Sequence, residues 1–401
     1  MKHAFVFIEV FGCEGGIQSH IQDVLGAYAQ LAKSAEQSMF ADVFLLRDSP
    51  IHHALKNDCF NYHYFGDELA AKTDNRPMTG RIRLTLSLAT YLIKHRPEQV
   101  YCGHINLAPM VGQLCRTLKI PYTILTYGKE VWHKLPPKGQ KALAAAERIW
   151  TISRYSRDLA CQANNISSHK FDMLPCVVDG TAFTPGLPST ELIERYQLQG
   201  ARVLTTVARL WKGDIYKGVD VTIRALPKIT KAFPNVKYVV IGRGDDQPRL
   251  AQLAVDLGVA DQVTFAGFIP DEALIDHYRL ADVYVMPSKE GFGIVYLEAM
   301  ACGIPVIAGN DDGSADPLQD GRVGWQVPYR DSEAVAEACI EALSGTDQRC
   351  ESDWLRQQTL AKFSASALVA QLSSLLHIET GEANCIQQST EERSTKVKSG
   401  R

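Results

Sequence analysis

The chain contains 401 residues, of which 46% are hydrophobic and 22% charged, with 29 glycines and 18 prolines. These proportions are typical of a folded globular protein and exclude a collagen-like or proline-rich chain, while the length favours two domains. The formal net charge of −3 gives no indication of nucleic-acid binding. Residues 1–172 carry a net positive charge and the remainder a net negative charge. This asymmetry suits an anionic acceptor or membrane surface on one side, although chance scatter of charge accounts for it equally well.

The ten cysteines form no Cys-x-x-Cys pair and no Cys/His cluster at the spacing of zinc ligands. Several lie in apolar runs, so reduced thiols in a cytoplasm are expected and no metal site is predicted. The first ten residues are typical of a buried strand rather than a signal peptide. No apolar run approaches the roughly 18 residues that a membrane span needs. A cytoplasmic protein is predicted, with peripheral contact to the inner face of a membrane left open.

Strands and helices alternate through the first half of the chain. Apolar runs predict strands at residues 5–10, 42–46, 99–102, 122–125 and 149–152. Amphipathic stretches predict helices near residues 18–33, 81–95, 107–118 and 138–147. Residues 48–80 are predicted to form a long irregular loop on the active face. Alternation at this spacing is typical of a parallel, doubly wound sheet.

The pattern breaks at residues 181–200, a turn-rich stretch interpreted as a linker between a first domain, 1–180, and a second domain, 201–360. A second series of strands is predicted at residues 203–208, 236–241, 263–266, 283–286 and 305–308, with helices near 219–232, 247–257, 271–280 and 292–302. A C-terminal helix is expected within residues 361–378 and a disordered tail at 379–401. The predicted fold class is α/β, with two doubly wound Rossmann-like domains facing a cleft that binds ligands.

The strongest signal for function lies in residues 287–306, where a strand is followed by a glycine-bearing loop and a helix. A helix start presents free backbone N–H groups and a positive dipole end to a diphosphate. The candidate donor-binding residues there are Gly291, Phe292, Gly293, Ile294 and Val295. Glu290 lies in the loop and Glu298 about two helical turns later, so both carboxylates can face one ligand. Taken alone, each glutamate is more simply explained as a helix cap or a solvated residue.

Two further loops carry weaker signals. Arg209, Lys212 and Lys217 follow the strand at 203–208, and such cations can neutralise the charge on a departing diphosphate. Near the amino terminus, Gly15 and Gly16 stand between the first strand and the first helix, where glycines let a backbone lie close to a phosphate.

A third loop follows the strand at 236–241. Gly242 and Arg243 begin it, and they are expected near the nucleotide base. The loop starts like a dinucleotide fingerprint but lacks its third glycine, which counts against an oxidoreductase.

In their order these loops resemble the retaining glycosyltransferases of family four, which have the B-type two-domain fold. The resemblance spans roughly residues 5–376 and is most specific at 283–328. It implies that Glu290 contacts the transferred sugar, while Arg209 and Lys217 hold the diphosphate. These three residues are the predicted catalytic group. In this family a pair of cations does the work of a metal ion, so no metal and no cofactor are expected.

The same resemblance implies that domain 1–180 binds the acceptor and domain 201–360 the nucleotide sugar, and it assigns roles to residues outside the catalytic group. It implies that Glu298 contacts the ribose, and that Gly15 and Gly16 close over the phosphates. Tyr127 stands where many relatives have a histidine, so Tyr127 and His104 are both candidates for the acceptor side.

Two other departures from the family pattern matter. The spacing between Arg209 and Lys217 is longer than the commonest form, so residues 212–216 form a small insertion and Lys212 competes with Lys217 for the phosphate. Asp316 stands where many relatives have a glutamate. The chain looks closest to the mannosyltransferase-like branch, which slightly favours GDP-mannose over a UDP-hexose.

The resemblance thus implies a retaining hexosyltransferase that passes a sugar from a nucleotide diphosphate to a hydroxyl acceptor, in synthesis of a cell-surface polysaccharide or glycolipid. Two alternatives stay open: a nucleotide-sugar epimerase of the same fold, and a non-catalytic nucleotide-sugar-binding subunit. An anionic membrane is a further candidate partner because basic residues adjoin apolar ones in the series Lys72, Arg76, Arg81, Ile82, Arg83, Leu84, Leu86 and Leu88. An ordinary amphipathic helix packed on the sheet explains that series as well.

Overall fold

The computed structural model describes residues 1–13, 15–35, 37–52, 54–55, 57–66 and 78–378. The chain divides into two compact units. The first comprises Met1–Ile152, Ser156–Pro175 and the segment from Leu368 onward, and the second comprises Ser153–Tyr155 and Cys176–Ala367.

The first unit is built on a seven-stranded parallel sheet in the order β3-β2-β1-β4-β5-β6-β7. Its strands are β1 Lys2–Phe7, β2 Phe40–Leu45, β3 Phe60–Tyr64, β4 Gln99–Cys102, β5 Tyr122–Thr126, β6 Arg148–Thr151 and β7 Phe171–Met173. The helices along this part of the chain are α1 Gly16–Ser34, α2 Met78–His95, α3 Ala108–Leu118, α4 Pro137–Ala145 and α5 Arg154–Asn164. The order reverses between β1 and β4, which is the point where doubly wound sheets bind ligands.

The second unit is built on a six-stranded parallel sheet in the order β10-β9-β8-β11-β12-β13. Its strands are β8 Arg202–Val207, β9 Val236–Ile241, β10 Val263–Gly267, β11 Val283–Met286, β12 Val306–Gly309 and β13 Trp325–Val327. Its helices are α6 Thr190–Arg195, α7 Val219–Ala232, α8 Gln247–Asp256, α9 Asp271–Tyr278, α10 Ile294–Ala301, α11 Ser332–Ser344 and α12 Ser352–Phe363. Because β8 and β11 are neighbours, the loops that leave their carboxyl ends meet, although about 75 residues separate them in sequence.

The central strands form because they are apolar without interruption. Every residue of β5 and of β11 is buried, as expected for parallel strands that are covered on both faces. In the first unit, Val6 of β1 and Ile124 of β5 belong to one core cluster with Leu84 and Leu88 of α2. The last helix, α13 Ala365–Leu375, contacts this unit where the Gln371 side chain donates to the Met173 carbonyl at 3.1 Å.

The structure confirms the predicted fold class and corrects parts of its detail. The expectation of an irregular loop over residues 48–80 is wrong at both β3 and the start of α2. β3 lies at the edge of the sheet and is only half-buried, so its polar residues hide the apolar pattern of a strand. The 181–200 stretch contains α6, whose N-terminus is capped by the side chain of Ser189. The predicted tail at 379–401 lies outside the described residues.

Candidate active site

The loops after β8 and β11 are joined at the carboxyl edge of the second sheet. The backbone N–H of Lys289 donates to the carbonyl of Tyr216 at 3.0 Å. Beside this bond the ammonium of Lys217 forms an ion pair with the carboxylate of Glu290, and each side chain is 17% exposed. Two of the three residues predicted to be catalytic are therefore in direct contact.

Gly218 lets these two loops approach so closely. Its φ is +78°, in the region that favours glycine, and a β-carbon there would lie 2.5 Å from the carbonyl oxygen of Pro287. The turn that ends at Gly218 also starts α7, so a larger residue would separate Lys217 from Glu290.

The loop after β11 leads into α10, whose first turn carries donor-binding candidates. Gly293 is the N-cap and has no side chain to cap the helix, so the backbone at Ile294 and Val295 presents N–H groups suited to an anion. The Phe292 side chain is buried against Phe363, with the ring centroids 5.9 Å apart. Only the backbone of Phe292 is therefore placed to meet a ligand.

Asp312 holds this loop in shape. Its Oδ2 accepts the backbone N–H of Glu290 at 2.7 Å and its Oδ1 accepts that of Ser314 at 2.8 Å. The side chain is buried, and burial raises the pKa of Asp312. Asp312 was not predicted as a site residue from the sequence, although an aspartate before Gly-Ser is a common turn signal.

Arg209, the third predicted catalytic residue, lies on the loop after β8. Its guanidinium is 3.2 Å from Oδ2 of Asp214 and 4.7 Å from the ring centroid of Trp211. The competing candidate, Lys212, has an exposed side chain, and its backbone N–H donates to Asp245 at 3.0 Å.

Glu298 lies on α10 and faces α9. The hydroxyl of the buried Tyr278 donates to its Oε2 at 2.5 Å. Burial raises the pKa of Glu298 from 4.5 to about 7, and this hydrogen bond opposes part of the rise.

The loop after β9 lies directly beside the loop after β8. Gly242 has a φ of +135°, and a β-carbon there would lie 1.9 Å from the carbonyl oxygen of Ala208. The backbone N–H of Leu210 donates to the carbonyl of Arg243 at 3.1 Å, and the Arg243 guanidinium lies 4.7 Å from the Phe268 ring. Gly242 and Arg243 thus border the candidate phosphate loop in the second unit.

In the first unit, Gly15 is the N-cap of α1 and Gly16 its first residue. The preceding loop is held by Asp48, whose buried carboxylate accepts three consecutive backbone N–H groups at 2.7, 2.8 and 2.7 Å. Sequence reasoning did not identify Asp48, because the contact joins a residue beyond β2 to the loop after β1.

The two acceptor-side candidates also lie in the first unit. Tyr127 is buried, and its hydroxyl donates to the carbonyl of Gly103 at 3.1 Å. His104 is half-buried, and burial lowers its pKa. Its Nδ1 accepts the backbone N–H of Asn106 at 3.1 Å. His104 is consequently the more accessible candidate.

Asp316, the third departure from the family pattern, accepts a hydrogen bond from the backbone N–H of Arg154 at 2.6 Å and pairs with its guanidinium. Across the described ranges, no three His, Cys, Asp or Glu side chains are grouped so as to hold a metal ion. No helix within those ranges is long and apolar enough to cross a membrane.

Comparison with known proteins identifies relatives of this chain. Residues 189–353 match the family model described as glycosyl transferases group 1. A GDP-mannose-dependent alpha-(1-6)-phosphatidylinositol monomannoside mannosyltransferase of Mycolicibacterium smegmatis is 30% identical over 351 residues, which cover 82% of this chain and 86% of the relative. A phosphatidyl-myo-inositol mannosyltransferase of Mycobacterium leprae is 37% identical over 147 residues, covering 36% of this chain and 37% of the relative.

Solved structures show the same fold at lower identity. HepE of Anabaena in complex with UDP has a TM-score of 0.72 at 18% identity, covering 94% of this chain and 100% of the other. The apo form of the lipopolysaccharide outer core galactosyltransferase WaaB has a TM-score of 0.70 at 17% identity, with 94% and 99% covered.

These relatives carry the names of glycosyltransferases, so the epimerase alternative finds no support among them. The family predicted from the loops and their order is confirmed. Because the mycobacterial relative matches most of both chains and the family model matches the second unit, the chain belongs to the glycosyl transferases of group 1.

Proposed function

We propose that this glycosyltransferase transfers mannose from GDP-mannose to a hydroxyl of a glycolipid of the phosphatidylinositol class, with retention of anomeric configuration. The observation that carries the proposal is the contact of Lys217 with Glu290 beside the start of α10. It brings a cation suited to a diphosphate next to a carboxylate suited to sugar hydroxyls. The name of the M. smegmatis relative supports the donor and the acceptor class.

The leaving diphosphate is bound by the cations and the helix start. Arg209 and Lys217 donate to its oxygens, and the N–H groups at Ile294 and Val295 add the positive end of α10. Charge grows on the diphosphate as it departs, so donors fixed at that position stabilise the transition state more than the ground state.

The two glutamates bind the rest of the donor. Glu290 accepts hydrogen bonds from hydroxyls of the transferred sugar, and Glu298 accepts them from the ribose. Asp312 fixes the backbone N–H of Glu290 and thereby the depth at which its carboxylate meets the sugar.

Retention follows from attack on the face that the diphosphate leaves. The bond between the anomeric carbon and the diphosphate oxygen breaks, and its electron pair stays on that oxygen. The acceptor hydroxyl forms the new bond on the same face, and its proton passes to the departing diphosphate oxygen. No side-chain base is required, and the cations Arg209 and Lys217 replace a metal ion.

The acceptor meets the first unit, where His104 and Tyr127 are the candidate contacts. A glycolipid acceptor also implies contact with a membrane, and the outer face of α2 suits that contact. Ile82, Leu86 and Ile93 are 53%, 64% and 63% exposed and lie along one stripe of the helix. The exposed Arg81 and Arg83 flank the stripe.

The basic and apolar residues that suggested a membrane partner do not all lie on one surface of the structure. Leu84 and Leu88 pack in the core of the first unit, so they are not part of the outer face. Lys72 and Arg76 lie outside the described residues. The inner face of α2 is thus ordinary packing, and the surface proposal depends on the outer face alone.

A donor panel tests the proposed function. The purified chain is incubated with GDP-mannose, UDP-glucose, UDP-galactose or UDP-N-acetylglucosamine, with and without phosphatidylinositol mannosides, and nucleotide release and product anomers are measured. Glu290→Gln serves as the control for contaminating activity. We expect transfer from GDP-mannose with α-linked product; a β-linked product contradicts retention, preference for a UDP-hexose contradicts the donor, and epimer formation contradicts transfer.

A further inference from the structure

The insertion between the two candidate phosphate-binding cations folds into a short 3-10 turn, Lys212–Lys217. Trp211, just before the turn, is 52% exposed, and Ile215, within it, is 42% exposed. By contrast, the side chain of Asp214, in the middle of the turn, is only 10% exposed. A carboxylate sheltered within an exposed turn needs a partner.

Arg209 is that partner. Oδ2 of Asp214 is buried, makes no hydrogen bond in the described structure, and lies 3.2 Å from the guanidinium nitrogen of Arg209. On another side the guanidinium lies 4.7 Å from the Trp211 ring centroid. Burial raises the pKa of Tyr216, and a hydrogen bond with Arg209 opposes that rise, so the Tyr216 hydroxyl is a third contact.

These contacts oppose the displacement of Arg209 from Asp214 by an incoming diphosphate. If Arg209 left, the sheltered Asp214 carboxylate would lose its only ion-pair partner in the described chain, and leaving a sheltered carboxylate unpaired is destabilising. A guanidinium carries five N–H donors, so it can keep Asp214 and still donate to phosphate oxygens. The contact therefore orients Arg209 rather than withholding it.

We propose that Asp214 is a positioning residue that holds the Arg209 guanidinium, together with the Trp211 ring, in the orientation that binds the sugar-linked phosphate of the donor. The inference rests on the proposed function, since it assumes that a nucleoside diphosphate binds here. The insertion then has a definite role, because it supplies the anchor that lets an exposed arginine act as a fixed donor.

A rival explanation is purely electrostatic. Removing any negative charge near the phosphates should strengthen anion binding, whether or not that charge touches Arg209. Asp245 provides the matched control, because it is an exposed acid that accepts the backbone N–H of Lys212 at 3.0 Å, so it lies beside the same turn. Asp214→Asn and Asp245→Asn remove the same charge and both keep an oxygen acceptor, but only the first touches Arg209.

The experiment measures dissociation constants of GDP and GMP, and of UDP and UMP, by calorimetry. In Asp214→Asn we expect the diphosphate to bind about 3- to 10-fold more weakly, the scale of losing one pre-ordered side chain, with unchanged monophosphate affinity. Asp214→Glu, which keeps the charge, should bind the diphosphate better than Asp214→Asn. A role in shape alone gives the opposite order, because asparagine is isosteric with aspartate and glutamate is larger. Asp245→Asn should match the wild type.

Equal effects of Asp214→Asn and Asp245→Asn, or tighter diphosphate binding in the first, overturn the inference. Should Asp214→Asn not fold, Trp211→Ala decides instead, since this exposed ring can be removed without disturbing the core. An unchanged preference for the diphosphate in Trp211→Ala then rejects the inference. Failure of the proposed function looks different, because the wild-type chain would not prefer either diphosphate to its monophosphate and Arg209→Ala would change nothing.

Discussion

Replacing Lys217 by alanine tests the centre of the proposed site, and Lys212→Ala is its matched control. The two lysines lie five positions apart on one turn. The Lys217 ammonium is paired with Glu290, and its side chain is only 17% exposed. The Lys212 side chain is exposed. Sequence alone left both lysines as candidates for the phosphate, and these contacts favour Lys217.

The expected magnitudes follow from those surroundings. Loss of one fixed donor to a developing anion lowers turnover by about 100- to 1,000-fold. Lys217→Ala also leaves the sheltered Glu290 carboxylate unpaired, which should cost about 1–3 kcal/mol of unfolding free energy. Lys212→Ala removes an exposed cation, so its effect on stability should stay within about 0.5 kcal/mol, with little effect on turnover.

The assay measures nucleotide release at saturating donor and acceptor, together with urea unfolding of each variant. Glu290→Gln separates the two effects of Lys217, because it removes the carboxylate that Lys217→Ala leaves unpaired. In the Glu290→Gln background, Lys217→Ala should lower the free energy of unfolding less than it does in the wild type. The turnover of this double variant should stay as low as that of Lys217→Ala alone. Equal losses of turnover at the two lysines, or a larger loss at Lys212, refute the reasoning, as does recovery of turnover in the double variant.

Three other outcomes are expected. Activity should persist in excess EDTA because cations take the place of a metal ion in the proposed mechanism, and a loss that only magnesium or manganese restores contradicts this. Burial raises the pKa of Glu298 from 4.5 to about 7, so between these pH values the folded chain holds a proton that the unfolded chain has released. The free energy of unfolding therefore falls as the pH rises through this range. Glu298→Gln should remove about 3 kcal/mol of that fall; if the urea midpoints of the two proteins change equally with pH, the raised pKa of Glu298 is refuted. The chain should sediment with anionic but not neutral liposomes. Charge reversal at Arg81 and Arg83 should weaken this binding by about 1 kcal/mol for each cation lost. A chain that stays in the supernatant at low salt argues for a soluble acceptor.

The fold could be predicted from the sequence because buried parallel strands are continuous apolar runs. β5 and β11 are of this kind, and both were predicted within a residue. β3 could not be found in the same way, since an edge strand needs apolar residues on only part of its surface. The short strands β7 and β13 have three residues each, too few to show a period.

The sequence predicts the loops of the candidate site but not the contacts between them. The spacing of Glu290 and Glu298 and their place around a helix start can be read from the sequence. The pairing of Lys217 with Glu290 depends on the adjacency of β8 and β11 and on how closely Gly218 lets the loops approach. Asp312 likewise anchors the loop through the backbone N–H of Glu290, and no periodic pattern in the sequence links these two residues.

The two candidate cations share one feature that bears on the proposed chemistry, since each is paired with a carboxylate of the same unit: Arg209 with Asp214, and Lys217 with Glu290. An ammonium has three donors and a guanidinium five, so each cation can keep its carboxylate and still bind a phosphate oxygen. The two carboxylates then differ in what they do. Asp214 is sheltered within its own turn and can only orient Arg209, whereas Glu290 belongs to the loop before α10 and also faces the sugar in the proposed role. The Lys217–Glu290 ion pair thereby connects the side chain that binds the sugar to a cation that binds the departing diphosphate. A donor that misplaces its sugar therefore also misplaces Glu290 and weakens the cation on which its leaving group depends.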